Sequence, residues 1–332
     1  MLSVMGYARK SLVSLQDTPY YHLIGRCVRR AWLWGFDEYA GKDYSHRKQW
    51  VLDRLARLSQ AFAVDICSYA IMSNHYHLVV RVDQQRAAAW DIEEVIERWG
   101  LIFKIPPVVG LYQSGEATKA ERQAAEKMLR TWRLRLHDVS WYMRCLNEYL
   151  ARRANVEDQC RGRFWESRFK SQALLDDRGL VTAMAYVDLN PVRAGIAATP
   201  ETSDFTSVKA RVDVQATRQS SVAPSRLNLL PFREEARKAP YLPFTLKDYL
   251  QLLDWTGRQI RPGKRGRIDA AQPPILERLQ IDQKAWRGMM QSRGNRFGRA
   301  LGSPDRLRAH AISVAQAWIR GLKQAAQLFP QG

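Results

Sequence analysis

The sequence predicts an α+β protein, with helices packed on an antiparallel sheet and a basic, helical region after it. Three observations lead there. Short apolar runs with strand character alternate with stretches of helical periodicity through residue 195. A polar stretch follows, and helical patterning then resumes at 242. The 332 residues carry a net charge of +19, with dense basic clusters in the last third. A hydrophobic fraction of 46% is ordinary for a folded protein, so the charge does not signal wholesale disorder.

Residues 18–30 read as a strand. Residues 45–62 are amphipathic, with Trp50, Val51, Leu55, Leu58 and Phe62 near helical spacing. Apolar runs at 64–71 and 75–82 predict two adjacent strands. Helices are expected at 84–99, at 115–136, and at 139–154, where Tyr142, Leu146, Tyr149 and Leu150 line up. Residues 163–174 read as a strand. A helix then starts near Asp176 or Asp177 and runs toward the stop signals Pro191 and Gly195. This interleaving predicts helices on one face of the sheet. Residues 211–240, with Gln-Ala-Thr-Arg-Gln-Ser-Ser-Val-Ala-Pro-Ser, read as a linker or surface excursion. Thr245 is a helix N-cap with Asp248 at the capping-box position, and Gly257 is the expected stop. Further helices are predicted at 274–279, 282–291 and 304–328.

The charge suits a polyanion, nucleic acid before an anionic membrane surface. No run of about twenty apolar residues predicts a membrane span. The first ten residues lack an apolar signal core, so a cytoplasmic location is expected. Cys27, Cys67, Cys145 and Cys160 form no Cys-x-x-Cys pair and are expected as reduced, mostly buried thiols. No Walker-type phosphate loop occurs. Trp255, Trp286 and Trp318 are expected in the core rather than as base-stacking platforms.

Two motifs carry chemistry. In Asn74-His75-Tyr76-His77-Leu78-Val79-Val80, strand alternation sends His75 and His77 to one face. Two imidazoles at that spacing can hold one divalent ion, or can simply be half-buried strand residues; spacing alone does not separate the two. In Tyr186-Val187-Asp188-Leu189-Asn190, Tyr186 and Asn190 lie four apart on one helix face. A tyrosine hydroxyl is a nucleophile and an amide oxygen a metal donor. Equally, Tyr186 can pack in the core and Asn190 can cap the helix.

Together the two motifs resemble those of the HUH single-tyrosine transposases of the insertion-sequence-200-like superfamily, in particular the REP-associated tyrosine transposase branch. The branch's His-hydrophobic-His strand matches His75, Tyr76 and His77. Its Tyr-x-x-x-Asn-Pro-x-x-Ala-Gly ending matches Tyr186 through Gly195. Tyr21 through Val28 looks like its first strand, and Gly162 through Ser171 like the strand before the tyrosine helix. The likeness spans about residues 15 to 210. Many members of the superfamily carry Gln where Asn190 stands.

The resemblance implies a ferredoxin-like HUH endonuclease core over 15–210; beyond it, polar composition reads as a 211–240 linker, and helical patterning with basic clusters reads as a helical DNA-binding accessory domain at 241–332. The resemblance also implies DNA transposition and recombination chemistry on single-stranded or hairpin DNA, in a nucleoid-associated monomer or homodimer. His75, His77 and Asn190 would hold Mg²⁺ or Mn²⁺, and Tyr186 would form a 5′-phosphotyrosine bond. Ordinary tyrosine titrates at about 10, so it needs a cation beside it. Arg168, Lys170 and Arg193 are candidates. Arg163 joins them as a candidate DNA contact, as do Arg261, Lys264, Arg265 and Arg267 in a basic turn. Arg293, Arg296 and Arg299 add a second basic patch. The rival readings are a DNA-binding host factor that has kept the fold without moving DNA, and an HUH replication initiator or relaxase. The latter commonly carry paired tyrosines, a third histidine or a helicase.

Overall fold

The computed structural model describes residues 13–28, 35–37, 41–217, 227–234, 240–260, 274–291 and 298–330. In chain order these form β1 (Tyr20–Arg26), a small ladder of β2 (Phe36–Asp37) and β3 (Lys42–Asp43), α1 (Arg47–Ala61), β4 (Val64–Ile71) and β5 (His75–Val82). Then come α2 (Gln84–Ala89), α3 (Ile92–Gly100), α4 (Pro107–Ser114), α5 (Lys119–Arg135), α6 (Val139–Glu157) and β6 (Lys170–Leu174). The chain continues through α7 (Asp177–Asp188), α8 (Asn190–Arg193), α9 (Ser207–Thr217), α10 (Leu246–Ile260), α11 (Pro274–Arg278) and α12 (Gln283–Gln291). It closes with β7 (Ala300–Leu301), α13 (Pro304–Ser313) and α14 (Leu322–Leu328).

The fold is mixed α+β around a five-stranded sheet of order β4-β5-β1-β6-β7. The four strands β4, β5, β1 and β6 run antiparallel to their neighbours, and β7 joins β6 in parallel. Both faces of β4 and β5 are buried along most of their length. A sheet apolar on both sides needs cover on both sides. The sequence predicted helices on one face, and here the structure differs. On the Tyr76 face, α6 supplies Asn147, which accepts a hydrogen bond from the Tyr76 hydroxyl at 2.5 Å, and Phe62 at the end of α1 packs edge-on against Tyr142. On the His77 face, α7 and α8 bring Tyr186 and Asn190. Gly25 is opposite Tyr76, and a Cβ there would lie 2.6 Å from the Tyr76 ring, so glycine is what lets the ring lie flat over β1.

Helix starts are set by short polar side chains that accept the orphan N–H groups of the first turn. Asp83, Asp91, Asp138 and Asp176 each do so, and Thr118 with Glu121 completes a capping box. Those caps explain two differences from the sequence reading. Residues 84–99 form two helices because Asp91 starts a second one. Residues 115–136 begin helically only at Lys119, because Gly115 adopts φ +80 and ends an unexpected helix, α4. The strand expected over 163–174 is confined to Lys170–Leu174. Ahead of it the pairing with the end of β1 continues only irregularly: Trp165 bridges Cys27, Glu166 N bonds Arg26 O and Val28 N bonds Phe164 O, while the Trp165 indole N–H goes to the Asn147 carbonyl.

The C-terminal residues differ from the sequence reading at several points. Thr245 does cap α10, accepting from Asp248 N at 3.1 Å, but Gly257 does not stop it, and Asp248 pairs with Arg278 instead of closing a capping box. Residues 304–328 are two helices, broken where Ala315 and Gly321 take positive φ. Trp255 and Trp286 are buried as expected, whereas Trp318 is 73% exposed. Within the stretch read as a linker, Leu230 N bonds Ile66 O at 2.8 Å on the edge strand β4, and Phe232 is fully buried. Arg261, Lys264, Arg265, Arg267, Arg293 and Arg296 lie outside the described residues. All four cysteines are free thiols, and Cys27, Cys67 and Cys145 are buried. Among the described residues no helix is long and apolar enough to cross a membrane.

Candidate active site

The site is built on the His77 face at one end of the sheet. His75 and His77 both project from β5 onto that face, and their ring centroids are 4.9 Å apart at 81°. Tyr186 comes from the last turn of α7. Its ring meets His77 edge-on, with centroids 5.9 Å apart. Asn190 follows one turn later, and its amide nitrogen is 3.1 Å from His77 Nε2. The helix path barely breaks between them: Leu189 N bonds Ala185 O and Arg193 N bonds Leu189 O. Pro191 lies in the first turn of α8, where its missing N–H is not needed, so it does not end the approach. Tyr186 is half-buried, His77 is 4% exposed and Asn190 8%.

The four residues that the two motifs singled out are thus gathered in one place. Asn190 uses its amide on His77 and does not cap α7. A fifth residue joins them that the motifs did not point to. His22 of β1 is buried, with its Nε2 2.9 Å from His77 Nδ1 and its ring centroid 6.2 Å from that of Tyr186. Only strand register reveals it, because His22 pairs with Val79 and so stands diagonal to His77. Its Nδ1 is 3.4 Å from Gln172 Oε1, directly across the β1–β6 ladder.

Burial sets the electrostatics. It holds His22 down to about 4, and holds His75 down to about 4 with help from the Arg26 charge. Burial, then His22, His75 and Arg193, hold His77 well below its ordinary value. All three rings are therefore neutral at pH 7, the form in which an imidazole nitrogen donates a lone pair. Each β5 histidine has its Nδ1 occupied, His75 by Asn74 Oδ1 at 2.7 Å and His77 by His22. His75 Nε2 is then left to a metal, and His77 Nε2, which faces the Asn190 amide nitrogen, would have to exchange that contact for one. The donor set of two neutral imidazoles and an amide would leave open positions on a divalent cation for phosphate oxygens. Among the described residues no group of three or more His, Cys, Asp or Glu is arranged to hold a metal, so a cation here would rest on the two imidazoles and the amide alone.

The predicted cations divide. Arg193 lies over the Tyr186 ring, 4.2 Å from its centroid, and is anchored by Nε on the Met290 carbonyl at 2.6 Å. Lys170 is exposed at the start of β6, opposite Ile24, which in turn faces His77, so it shares their row on the site face. Arg163 and Arg168 do not converge on the tyrosine. They line a groove of about 440 Å³ with Phe164, Trp165 and Asn147, beside the Tyr76 face. Arg26, whose β1 position faces His75, stands exposed at the mouth, where it is paired with Glu166 at 3.3 Å; the motifs did not point to it.

No protein-family model matches the chain, and no curated protein does. A solved structure described as a REP-associated tyrosine transposase bound to a REP hairpin is similar to 71% of this chain and to all of its own, at 11% identity and a TM-score of 0.37. A likeness that loose carries no residue or role across.

Proposed function

We propose that this protein is a metal-dependent enzyme that nicks and rejoins single-stranded DNA, a transposase of the HUH type acting on hairpin or palindromic repeat DNA. The observation that carries the reading is the convergence of Tyr186, His75, His77 and Asn190 at one end of the sheet, with Arg193 over the tyrosine ring. The strand order, four antiparallel strands in βαββαβ sequence with β1 central, supports a ferredoxin-like core. In this reading residues 15–210 hold the chemistry and residues 241–332 hold flanking DNA.

The chemistry asked of the chain's own groups is short. The Tyr186 hydroxyl attacks phosphorus, the bond from phosphorus to the 3′ oxygen breaks, and that oxygen leaves with a proton as a 3′-hydroxyl. The phosphate stays on the tyrosine with the 5′ end. A 3′-hydroxyl later attacks the same phosphorus and releases the tyrosine, so rejoining needs no nucleotide triphosphate. Arg193 steadies negative charge on the phenolic ring system as it forms, and Lys170 and Arg26 meet the flanking phosphates. Mg²⁺ or Mn²⁺ held by His75, His77 and Asn190 would polarise the scissile phosphate and offset its charge. Net charge +19 supplies the attraction for the polyanion.

The test is cleavage of a labelled single-stranded hairpin library in Mg²⁺ or Mn²⁺, comparing wild type with Tyr186→Phe. The expected result is a denaturant-resistant protein–DNA adduct with wild type that disappears with chelator. Tyr186→Phe is expected to bind the hairpin with unchanged affinity and form no adduct. Hairpin binding with no adduct from either protein would leave a DNA-binding protein on this scaffold and end the enzymatic reading.

A further inference from the structure

We propose that Gln172, His22 and the Gly298 carbonyl form a relay that fixes His77 in its Nδ1–H tautomer and so aims its Nε2 lone pair at a divalent cation. The inference rests on the metal-site reading above and assigns His22 and Gln172 as positioning residues.

The relay can be followed atom by atom, because its far end admits a single assignment. The Gly298 carbonyl can only accept, and it lies 3.1 Å from the Gln172 side-chain nitrogen. That contact orients the amide, so Gln172 turns its Oε1 toward His22 Nδ1, 3.4 Å away. An amide oxygen accepts, so His22 carries its proton on Nδ1. His22 is 2% exposed, and a buried imidazolium is disfavoured, so its Nε2 is left as an acceptor. The 2.9 Å contact between His22 Nε2 and His77 Nδ1 then requires the proton on His77 Nδ1. His77 Nε2 is left without a proton, its lone pair free to accept from the Asn190 amide until a cation takes that place. The last link agrees, because an N–H of the Asn190 amide faces that atom at 3.1 Å and can donate only to a lone pair.

The arrangement crosses three strands, from β6 through β1 to β5, along rows fixed by the ladder register. Its anchor is the backbone just before β7, the strand by which the C-terminal residues join the sheet. Arg299 O accepts from Ala173 N at 2.7 Å beside it, which holds the Gly298 carbonyl in place. The orientation of a metal ligand is thereby tied to the docking of the C-terminal segment. Outer partners of this kind usually set ligand tautomer and affinity together.

The experiment uses the full-length, metal-free protein labelled with ¹⁵N-histidine, and reads ring-nitrogen protonation by NMR, followed by Mn²⁺ titration. In wild type, His77 is expected as the Nδ1–H tautomer with an unprotonated Nε2. His22→Leu removes the acceptor and is expected to weaken Mn²⁺ binding about 10–100-fold. His22→Gln, whose amide oxygen can accept the same proton, is expected to restore most of that loss. Gln172→Leu leaves both histidines in place, which keeps the test usable if His22→Leu does not fold. It is expected to give a mixture of His77 tautomers and a several-fold loss of Mn²⁺ affinity. An Nε2–H tautomer of His77 in wild type overturns the relay, as does wild-type Mn²⁺ affinity in both His22→Leu and Gln172→Leu. Wild type that binds no Mn²⁺ but shows the expected tautomer instead overturns the metal-site reading, and the aim of the relay with it.

Discussion

Asp188 offers the sharpest test of how the tyrosine helix is held. It lies between Tyr186 and Asn190 but points the other way, with no exposed surface. One carboxylate oxygen accepts from Ser207 Oγ at 2.5 Å and Val208 N at 3.0 Å, and the other from the Tyr249 hydroxyl at 2.6 Å. The carboxyl thus ties α7 to the start of α9 and to α10. In Asp188→Ala, Ser207 retains Ser68 as a partner at 3.0 Å, but Val208 N and the Tyr249 hydroxyl lose theirs inside the core. A buried donor left without a partner costs about 1–3 kcal/mol, so the substitution is expected to cost about 3–5 kcal/mol once the cavity is added. Tyr249→Phe removes one bond and leaves the carboxyl two others, for about 1–2 kcal/mol. Because the two residues touch, the double variant is expected to lose at least about 1 kcal/mol less than the sum. Urea denaturation of the four proteins measures all three quantities. A loss below about 1 kcal/mol for Asp188→Ala would refute the reasoning.

The same residue carries a pH signature. Burial, opposed by its hydrogen bonds, leaves the Asp188 carboxyl above its ordinary value of 3.8. The folded state therefore binds its proton more tightly than the unfolded chain does. That contribution to stability is complete below 3.8 and is lost as pH rises through the raised folded value. Asp188→Asn does not titrate, so the stability gap between wild type and this variant is expected to narrow between pH 4 and pH 7. A gap that widens over that interval contradicts the assignment.

Other predictions follow from the site and its supports. In chelator-treated protein, His22 and His75 titrate near 4 when folded and near 6.5 when unfolded. Their contribution is full above 6.5 and falls away as pH drops toward 4, so urea midpoints should decline across that window; a flat profile argues against neutral buried rings. Gly179→Ala would place a Cβ 2.4 Å from the Leu301 carbonyl oxygen. It is expected to push β7 off the start of α7 at a cost of about 1–3 kcal/mol, seen as a lower Tm and faster proteolysis after β6. Arg193→Gln removes the cation over Tyr186, and adduct formation is expected to slow about 10–100-fold with hairpin affinity changed far less. Equal losses in both would make Arg193 a DNA anchor only.

The parts of the fold legible in the sequence were those with a strong local period. β1, β4, β5 and α1 stand where alternation or amphipathicity put them. The breaks were missed where a single polar side chain decides them. Asp91 splits 84–99 simply by accepting Glu94 N, and nothing in the apolar pattern records that event. Trp165 was equally opaque, because its irregular pairing with the end of β1 and its indole bond to the Asn147 carbonyl are tertiary contacts. Trp318 looked like core by type, yet the chain breaks around Ala315 and leaves it in solvent.

The site divides along the same physical line. His75 with His77, and Tyr186 with Asn190, are each fixed by one local period, two residues on a strand and four on a helix, so each pair was visible alone. That the pairs meet depends on α7 covering the histidine face of the sheet, a tertiary fact. His22 and Gln172 are further from view, since their place is defined only by the registers of β1 against β5 and β6. A one-residue slip of β1 would turn His22 to the opposite face and give His77 Nδ1 no partner there. The apolar residues Tyr21 and Leu23, both fully buried on the other face, make that slip expensive. The packing of the core thus holds the polar row in register, and substitutions at Tyr21 or Leu23 that loosen β1 should disturb the tautomer of His77 before they unfold the protein.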